Sequence, residues 1–302
     1  MKRFVSVGEC MIEMSGGDDG QYRLGFAGDT LNTAWYARAR LPDDWQVDYV
    51  TALGDDLYSQ QMVEFFAGNG IGIGHIQKID GKRPGLYLIH QADGDRHFTY
   101  WRGQSAAKLL TEVPGVLEEA FADADLAYFS GISLAILNAR GRGKLMKAIH
   151  LARQGGARVA FDPNERPALW TSPKVMGSTI TAAATIADIV LPTFPDEAAM
   201  FGDASPEAVA ERYLSWGAEE VVVKNGAEPA FVASREARGW VAPKPGAKSV
   251  DPTGAGDSFN GAYLSARSEG ASPIEAAEAA HALAAIVIGH RGALVPHEVL
   301  KR

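Results

Sequence analysis

Cysteine is nearly missing from this sequence, which has Cys10 alone among its 302 residues. A single cysteine cannot form an intramolecular disulfide, and it excludes a cysteine-rich metal site. Because structural disulfides belong to oxidising compartments, this scarcity predicts a cytoplasmic protein. The first residues, MKRFVSVGECMIEM, agree with that prediction, since Glu9 and Glu13 interrupt the apolar run too early for a signal peptide.

Long apolar runs are missing as well, and no stretch approaches the ~18 residues of a membrane span. Positive charge is in deficit, because 29 lysines and arginines face 37 acidic residues and give a net charge of −8. An acidic chain does not attract nucleic acid through its overall field. We therefore expect neither a nucleic-acid nor a membrane partner. An anionic ligand would need a few well-placed Arg, Lys and backbone N–H groups.

The sequence also lacks the common phosphate-binding and catalytic motifs. GAKS at 246–249 resembles a fragment of a P-loop, but the upstream glycine spacing is wrong. GNGIGIG at 68–74 does not match G-x-G-x-x-G and precedes no obvious helix. Neither H-E-x-x-H nor G-x-S-x-G occurs. Rossmann and hydrolase functions therefore have little support.

What the sequence does contain is an alternation of short apolar segments and helix-like segments. Continuous apolar strands between helices predict a buried, mostly parallel sheet in an α/β protein. Right-handed crossovers then place the ligand at the carboxyl ends of the strands. An alanine-rich helix is predicted over about 273–289. The predicted strands cover residues 4–7, 47–53, 126–130, 158–162, 188–191 and 220–224.

One segment, PGLYLIHQADGDRHFTYWR at 84–102, has no helical pattern. Asp93-Gly94 is a strong signal for a two-residue hairpin turn, which would pair Tyr87 with Tyr100. Period-two alternation then places Tyr87, Tyr100 and Arg102 on one face of a small antiparallel flap. The alternative is a surface hairpin whose aromatic rings pack on the sheet while Arg102 is solvated.

The stretch DPTGAGDSFNGAYL at 251–264 predicts a helix that begins at small residues. Apolar side chains recur at helical spacing from Phe259 to Ala266. The first N–H groups of a helix lack partners, and its dipole is positive at that end. Small side chains let an anion reach these donors, so this turn is a candidate phosphate or oxyanion site. Its small residues are Gly254, Ala255 and Gly256.

Asp257 lies in the first turn of that predicted helix, beside any bound phosphate. A carboxylate has no reason to bind a phosphate, but it can take the proton from a hydroxyl that attacks one. We therefore predict that Asp257 is a catalytic base. The alternative is a glycine-rich turn in which Asp257 is only an N-terminal helix charge.

A second helix start occurs in FAGDTLNTAWYARA at 26–39. Gly28 and Asp29 stand just before a helical pattern, from which Asp29 and Asn32 could hydrogen-bond the hydroxyls of a sugar. The alternative is that Asp29 merely caps the helix.

DPTGAGDSFNGAY and AGDTLNTA resemble the two signatures of the ribokinase/PfkB family of carbohydrate kinases, and the resemblance covers essentially the whole chain. It implies one domain over 1–302, with a three-layer α/β/α fold, a mostly parallel central sheet and a small β-sheet lid formed from about 9–26 and 79–103. It also implies ATP and Mg²⁺ as cofactors and is compatible with a monovalent cation. The edge strands of the lid could pair between subunits, which predicts a homo-oligomer formed through the lid.

Within this family, RPGLYLI, HFTYWR, DPNERPALW and LPTFPDEAAMFG resemble kinases of 2-keto-3-deoxygluconate. A sugar acid is an anion, and arginine pairs with a carboxylate through two parallel hydrogen bonds. The resemblance implies a lid that closes over the substrate and an arginine near its carboxylate or the transferring phosphate. The implied substrate-binding residues are Gly28, Asp29, Asn32, Tyr87, Tyr100, Arg102 and Arg166.

On the nucleotide side, the segment VVVKNGAEPAFV at 221–232 looks like the strand and turn that flank ATP in the family. His281 is implied to border the adenine, although a packed histidine is the alternative. The family's magnesium-organising N-x-x-E could correspond to Thr193 and Asp196, or to Phe194 and Glu197, so the metal ligands stay unassigned. The implied nucleotide-binding residues are Asn164, Lys224, Gly226, Thr253, Gly254, Gly256 and His281.

The resemblance implies a sugar-acid kinase that transfers the γ-phosphate of ATP to the terminal (C6) hydroxyl of 2-keto-3-deoxygluconate and gives 2-keto-3-deoxy-6-phosphogluconate. A fructokinase-like enzyme or another sugar kinase of this family is the first alternative. A non-catalytic sugar-binding protein on the same fold is the second, and the intact 254–257 stretch weighs against it.

Overall fold

The computed structural model describes residues 1–16, 20–92, 95–246 and 248–300. Its elements alternate along most of the chain, as the sequence predicts. The strands are β1 (Lys2–Val7), β2 (Met11–Gly16), β3 (Tyr22–Ala27), β4 (Trp45–Leu53), β5 (Ile71–Gly72), β6 (Ile76–Lys78), β7 (Gly85–Ala92), β8 (Asp95–Trp101), β9 (Leu126–Ser130), β10 (Arg158–Asp162), β11 (Ile189–Val190), β12 (Glu220–Val223), β13 (Ala230–Ser234) and β14 (Arg238–Val241).

The helices follow the strands, and several begin at a side-chain cap. Asp56, for example, accepts hydrogen bonds from the first backbone N–H groups of the second helix. The helices are α1 (Asp29–Arg40), α2 (Leu57–Gly68), α3 (Val116–Phe121), α4 (Gly131–Ala135), α5 (Ala139–Gln154), α6 (Pro173–Ala184), α7 (Phe194–Phe201), α8 (Pro206–Ser215), α9 (Ala255–Ser268), α10 (Pro273–Val287) and α11 (His297–Leu300).

In the described part of the chain the main sheet has ten strands in the order β14-β13-β12-β11-β10-β9-β1-β4-β5, and β6 also pairs with β4. The pairs from β12 to β5 are parallel, and only β13 and β14 are antiparallel to their neighbours. The predicted mostly parallel sheet is therefore confirmed, and the carboxyl ends of its parallel strands share one edge.

Both faces of this sheet are buried, which is why its strands are continuously apolar. Phe4 and Tyr128 pack on the face covered by α1, α9 and α10, whereas Val5 and Phe129 pack on the face covered by α5, α6 and α8. The alternation of side chains along each strand thus feeds two separate cores. The result is the three-layer arrangement that the family resemblance implies.

The second sheet has four strands in the order β3-β2-β7-β8. β7 and β8 pair antiparallel with Tyr87 opposite Tyr100, which confirms the predicted register. The turn predicted at Asp93-Gly94 lies outside the described residues. Among the described residues, no helix combines the length and the apolar character that crossing a membrane requires.

Candidate active site

Two helix starts meet at the carboxyl edge of the main sheet. α1 begins at Asp29 directly after β3, and α9 begins at Ala255. The two helices pack closely, since a Cβ on Gly261 would lie 2.8 Å from the carbonyl oxygen of Thr33. This contact brings the segments at 28–32 and 254–257, which are more than two hundred residues apart, to the same place.

The turn before α9 is held in a conformation that requires glycine. Gly254 has φ of 78°, in the left-handed region, and a Cβ there would lie 2.6 Å from the carbonyl oxygen of Ala293. The buried Asp251 carboxylate fixes the turn by accepting hydrogen bonds from the N–H groups of Thr253 (2.9 Å) and Gly292 (2.7 Å). The sequence therefore places a rigid helix N-terminus at the site.

This N-terminus is open on one side. Gly256 is exposed, and the nearest atom to a Cβ placed on it is the Lys224 Nζ, at 3.7 Å. The N–H of Ala255 donates to the Pro252 carbonyl at 3.1 Å, which leaves the predicted anion contact mainly to the donors that follow it in the first turn. A helix N-terminus beside an ammonium group is a favourable position for a phosphate.

Asp257 is half-buried beside this turn and faces α1. The side-chain amide of Asn32 donates to Asp257 Oδ2 at 2.8 Å, while its Oδ1 accepts from the Gly28 N–H at 3.3 Å. Burial, followed by the negative charge of Asp29, raises the pKa of Asp257 to about 7, against the effects of Asn32 and Lys224. A carboxylate with this pKa is suited to take and release a proton near neutral pH.

Behind Asp257 lies a buried polar network that the sequence reasoning missed. Lys224 Nζ donates to Asp162 Oδ2 at 2.8 Å and to Asn260 Oδ1 at 3.1 Å, and the Asn260 amide donates to the same Asp162 oxygen at 2.6 Å. Asp162 ends β10, and an acid that closes a buried apolar strand is the signal that could have identified it. The network fixes Lys224 close to the helix N-terminus.

The loop after β10 brings Asn164 into this site. Its backbone has φ of 36°, which non-glycine residues rarely adopt, and its N–H donates to Asp162 Oδ1 at 3.0 Å. The Asn164 side-chain amide donates to Asp29 Oδ2 at 2.8 Å. Burial raises the pKa of Asp29, and the hydrogen bonds from Ser130 and Asn164 partly offset that rise. Strained backbone of this kind is often found at functional sites.

Arg166 follows in the same loop with its side chain half-exposed, 3.7 Å from Asp196 Oδ2. Burial raises the pKa of Asp196, with Arg166 acting in the opposite sense and Asp162 in the same sense. Asp196 thus lies at this edge, whereas Glu197 is fully buried and accepts from Tyr213. Of the two correspondences considered for N-x-x-E, the pair Thr193 and Asp196 is the one at the site.

The predicted lid residues lie on one face of the small sheet. The ring centroids of Tyr87 and Tyr100 are 5.8 Å apart, and the Arg102 guanidinium lies 6.0 Å from the Tyr100 ring. Arg102 is mostly buried and forms an ion pair with Glu9, and the Tyr87 hydroxyl donates to Glu13. The alternative in which Arg102 is solvated is therefore wrong. Glu9 and Glu13 are further residues that the sequence reasoning missed.

A cavity of about 760 Å³ lies between this face and the segment that follows α10. Glu13, Ala27 and Ile89 line it from the small sheet, and Gly292 and Ala293 line it from the other side. Because Ala293 touches the Gly254 turn, the cavity adjoins the N-terminus of α9. There is thus room for a small ligand between the small sheet and the main sheet.

In the described part of the chain, Gly226 and His281 make no hydrogen bond or ion pair with this cluster. Gly226 has φ of 60° in the turn between β12 and β13. His281 is buried, its Nε2 lies 3.0 Å from the Val241 carbonyl oxygen, and its ring meets Phe259 edge-on. Burial also lowers the pKa of His281. Their contact with a nucleotide stays a prediction.

The pfkB family carbohydrate kinase model matches residues 1–299. The chain belongs to the pfkB family. This pfkB kinase is similar to the 2-dehydro-3-deoxygluconokinases of Dickeya dadantii and Escherichia coli K12, each 40% identical, with 99% of this chain covered and 98% and 99% of the relatives. Among solved structures it is similar to the PfkB protein from Polaromonas sp. JS666, with 28% identity, a TM-score of 0.83 and 96% of each chain covered. The predicted ribokinase-like fold is thus confirmed.

Proposed function

We propose that this pfkB kinase is a 2-dehydro-3-deoxygluconokinase, which phosphorylates the C6 hydroxyl of 2-keto-3-deoxygluconate with ATP. The observation that carries the reaction type is the position of Asp257, half-buried in the first turn of α9 beside an open helix N-terminus. The substrate is supported by the identity of 40% over nearly the whole chain to relatives of that name.

In the proposed reaction the acceptor hydroxyl lies between Asp257 and the γ-phosphorus. Asp257 takes the proton as the new oxygen–phosphorus bond forms, and the bond from the γ-phosphorus to the β–γ bridging oxygen breaks, so that ADP leaves with the electron pair. The N–H groups in the first turn of α9 and the ammonium of Lys224 stabilise the charge on the transferring group. The exposed Gly256 lets that group approach the backbone.

We propose that two arginines favour an anionic sugar over a neutral one. Arg102 would bind the substrate carboxylate from the small sheet, with Tyr87 and Tyr100 beside it, and Arg166 would act near the carboxylate or the transferring phosphate. We propose that the small sheet is a lid whose closure excludes water. Asp29, Asn32 and the backbone at Gly28 would hold the hydroxyls. Asn164, Lys224, Gly226, Thr253 and His281 are the proposed nucleotide contacts.

ATP is the proposed phosphoryl donor, and Mg²⁺ the proposed cofactor. The residues at the site fit this ion in kind, because carboxylate oxygens are the ligands that magnesium prefers. However, the described residues hold no cluster of three His, Cys, Asp or Glu side chains that could bind a metal. The ion is therefore expected to be held mainly by the nucleotide phosphates, where it would neutralise part of their charge. A monovalent cation stays a prediction.

We also propose a cytoplasmic homo-oligomer in which a second copy covers the small sheet. Tyr22, Leu24 and Trp101 are exposed apolar side chains that share the face opposite Tyr87, and β3 and β8 are edge strands. Analytical ultracentrifugation of the protein and of Leu24→Asp tests this, because the variant should sediment as a smaller species. Equal sedimentation of the two proteins would contradict the arrangement.

ADP release coupled to a reporter enzyme tests the main proposal. The acceptors are 2-keto-3-deoxygluconate, the galactonate-derived epimer and fructose, each with ATP and Mg²⁺. We expect the sugar acids to be far better substrates than fructose. Preference for fructose would favour a fructokinase-like enzyme, and no sugar-dependent ADP release would favour a binding protein.

Asp257→Asn should lower kcat by at least ~10²-fold while sugar binding survives. Near-normal turnover by that variant would rule out the base.

A further inference from the structure

Glu165 lies between two proposed site residues, yet it points into the protein. The loop at 163–166 carries Asn164 toward Asp29 and Arg166 toward Asp196, whereas the Glu165 side chain is only 4% exposed. The same loop is packed tightly, since a Cβ on Gly131 would lie 1.8 Å from the Pro163 carbonyl oxygen. Glu165 is therefore the inward anchor of a loop whose outward side chains face the site.

The Glu165 carboxyl meets another carboxyl, that of Glu197 on α7, with which it makes a side-chain contact of hydrogen-bonding type. Apart from a contact with its own backbone N–H, neither oxygen of Glu165 has a further hydrogen-bond partner in the described part of the protein. Both oxygens of Glu197 already accept hydrogen bonds, from the Tyr213 hydroxyl at 2.7 Å and from Arg212 at 2.6 Å. Two carboxyl groups in contact without a donor between them require that one carries a proton.

The charge balance identifies Glu165 as the protonated partner. Arg212 donates to both Glu197 and Asp203, so this single cation already serves two carboxylates. A third buried carboxylate in the same cluster would have no counterion, and isolated buried charges are costly. Burial, followed by the charge of Glu197, raises the pKa of Glu165 to about 10.

We propose that Glu165 is a positioning residue: its carboxylic acid donates a hydrogen bond to Glu197 and so fixes the loop that presents Asn164 and Arg166 to the active site. This role rests on the proposed function only because that function assigns Asn164 and Arg166 to the active site. The hydrogen bond ties the strained backbone at Asn164 to α7, the helix that also carries Asp196. Loss of the bond would leave the fold in place but would loosen the contacts that both loop residues make.

The proposal gives a pH dependence with a definite sign. As pH rises toward the pKa of Glu165, the proton is lost, and two carboxylates then repel each other in a buried place. Substrate affinity should fall at alkaline pH for that reason. The charged and titratable groups that face or adjoin Glu165 are Glu197, Arg212, Tyr213, Asp162, Arg166 and, through Arg212, Asp203.

Two variants test the proposal in the full-length protein. Glu165→Gln keeps a donor that can reach Glu197, whereas Glu165→Met keeps the length of the side chain without a donor. We expect Glu165→Met to raise KM for the sugar acid by about tenfold, the cost of a lost buried hydrogen bond, with a smaller change in kcat. Glu165→Gln should stay within about twofold of the wild type and should lose the decline in affinity at alkaline pH. Glu278→Gln, on the exposed side of α10, is the matched control.

Infrared spectroscopy at neutral pH gives a readout that needs no activity. The wild-type spectrum minus that of each Glu165 variant should contain the carbonyl stretch of a protonated, buried carboxyl group, and the wild-type spectrum minus that of Glu278→Gln should not. The band of Asp257, whose pKa of about 7 leaves it partly protonated at this pH, cancels in these differences. If the band is unchanged in Glu165→Gln, or if Glu165→Met has a normal KM, the proposal is wrong. Equal impairment of both variants would also overturn it. Should the wild type prove inactive on every sugar, the proposed function fails while the infrared result still decides whether Glu165 is protonated.

Discussion

The carboxylate pair formed by Asp257 and Asp29 predicts how the pH profile of this enzyme will respond to substitution. Burial and the charge of Asp29 raise the pKa of Asp257, while the hydrogen bond from Asn32 lowers it. Asp29→Asn removes the neighbouring charge but keeps an oxygen that can accept from Asn164. Asn32→Leu removes the hydrogen bond with little change in shape. The two substitutions should therefore shift the pKa of the proposed base in opposite directions.

The size of the effect follows from the pKa of about 7. A base must be ionised to act, so kcat/KM should rise with pH. With that pKa, roughly 9% of Asp257 is ionised at pH 6 and roughly 91% at pH 8. The kcat/KM of the wild type should therefore be about tenfold lower at pH 6 than at pH 8. In Asp29→Asn the pKa falls, and the loss at pH 6 should be smaller. In Asn32→Leu the pKa rises, and the loss should be larger.

The assay is kcat/KM for the sugar acid from pH 5.5 to 8.5 at saturating ATP and Mg²⁺, because this ratio reports groups of the enzyme before the sugar binds. The absolute rates of both variants are expected to fall, since Asp29 and Asn32 are also proposed to contact the substrate, but the position of the acid limb is independent of that loss. Asp44→Asn, an exposed change far along the loop after α1, should leave the limb in place. A flat profile, or shifts of the same sign in both variants, would refute the reasoning.

Three further predictions concern the anion-binding groups. Arg102→Ala should raise KM for the sugar acid far more than KM for a neutral hexose. Equal increases would contradict a contact between Arg102 and the substrate carboxylate. Gly254→Ala places a side chain on left-handed backbone at a cost of about 1–2 kcal/mol and should therefore lower the melting temperature. Gly256→Ala should melt normally but raise KM for ATP. A lower melting temperature for Gly256→Ala than for Gly254→Ala would contradict the geometry. Lys224→Met removes a cation that lowers the pKa of Asp257, so the acid limb of the pH profile should move to higher pH. An unchanged acid limb would show that Lys224 does not influence the pKa of Asp257.

The sheet could be predicted because its strands are apolar on both faces. The predicted boundaries extend one residue too far at the ends of two strands. The strand predicted at 188–191 is only Ile189–Val190, although the N–H groups of Asp188 and Leu191 still donate to the carbonyl oxygens of Val159 (2.8 Å) and Phe161 (2.9 Å). Lys224 was predicted to end a strand, but it forms only an isolated bridge with Thr193. These strand ends depend on how far the neighbouring strands pair, and the sequence of a single strand does not encode that.

The helix starts of the site could also be predicted, because Asp257 and Asn32 lie in local patterns of small and apolar residues. The buried pairs could not. Lys224 and Asp162 are 62 positions apart, and Arg102 and Glu9 are 93 apart. A hydrogen bond between distant positions leaves no periodic trace in the sequence, and the only local sign of Asp162 is an acid at the end of an apolar strand. His281 is buried on its alanine-rich helix, as in the packed alternative that the sequence offered, and its contact with a nucleotide stays a prediction.

The carboxylates at the sheet edge also explain why the nucleotide should arrive with its metal. Asp162 is neutralised by Lys224, and Asp196 is partly offset by Arg166. Among the described residues, Asp29 and Asp257 have no ion pair of their own at the place where the acceptor hydroxyl would lie. The negative charge of Asp29 raises the pKa of Asp257, and a bare triphosphate would add like charge and protonate the base further. A divalent cation on the phosphates offsets that charge. We therefore expect Mg²⁺ to act in part by keeping Asp257 ionised, so that the acid limb lies at lower pH when the nucleotide is saturated with metal.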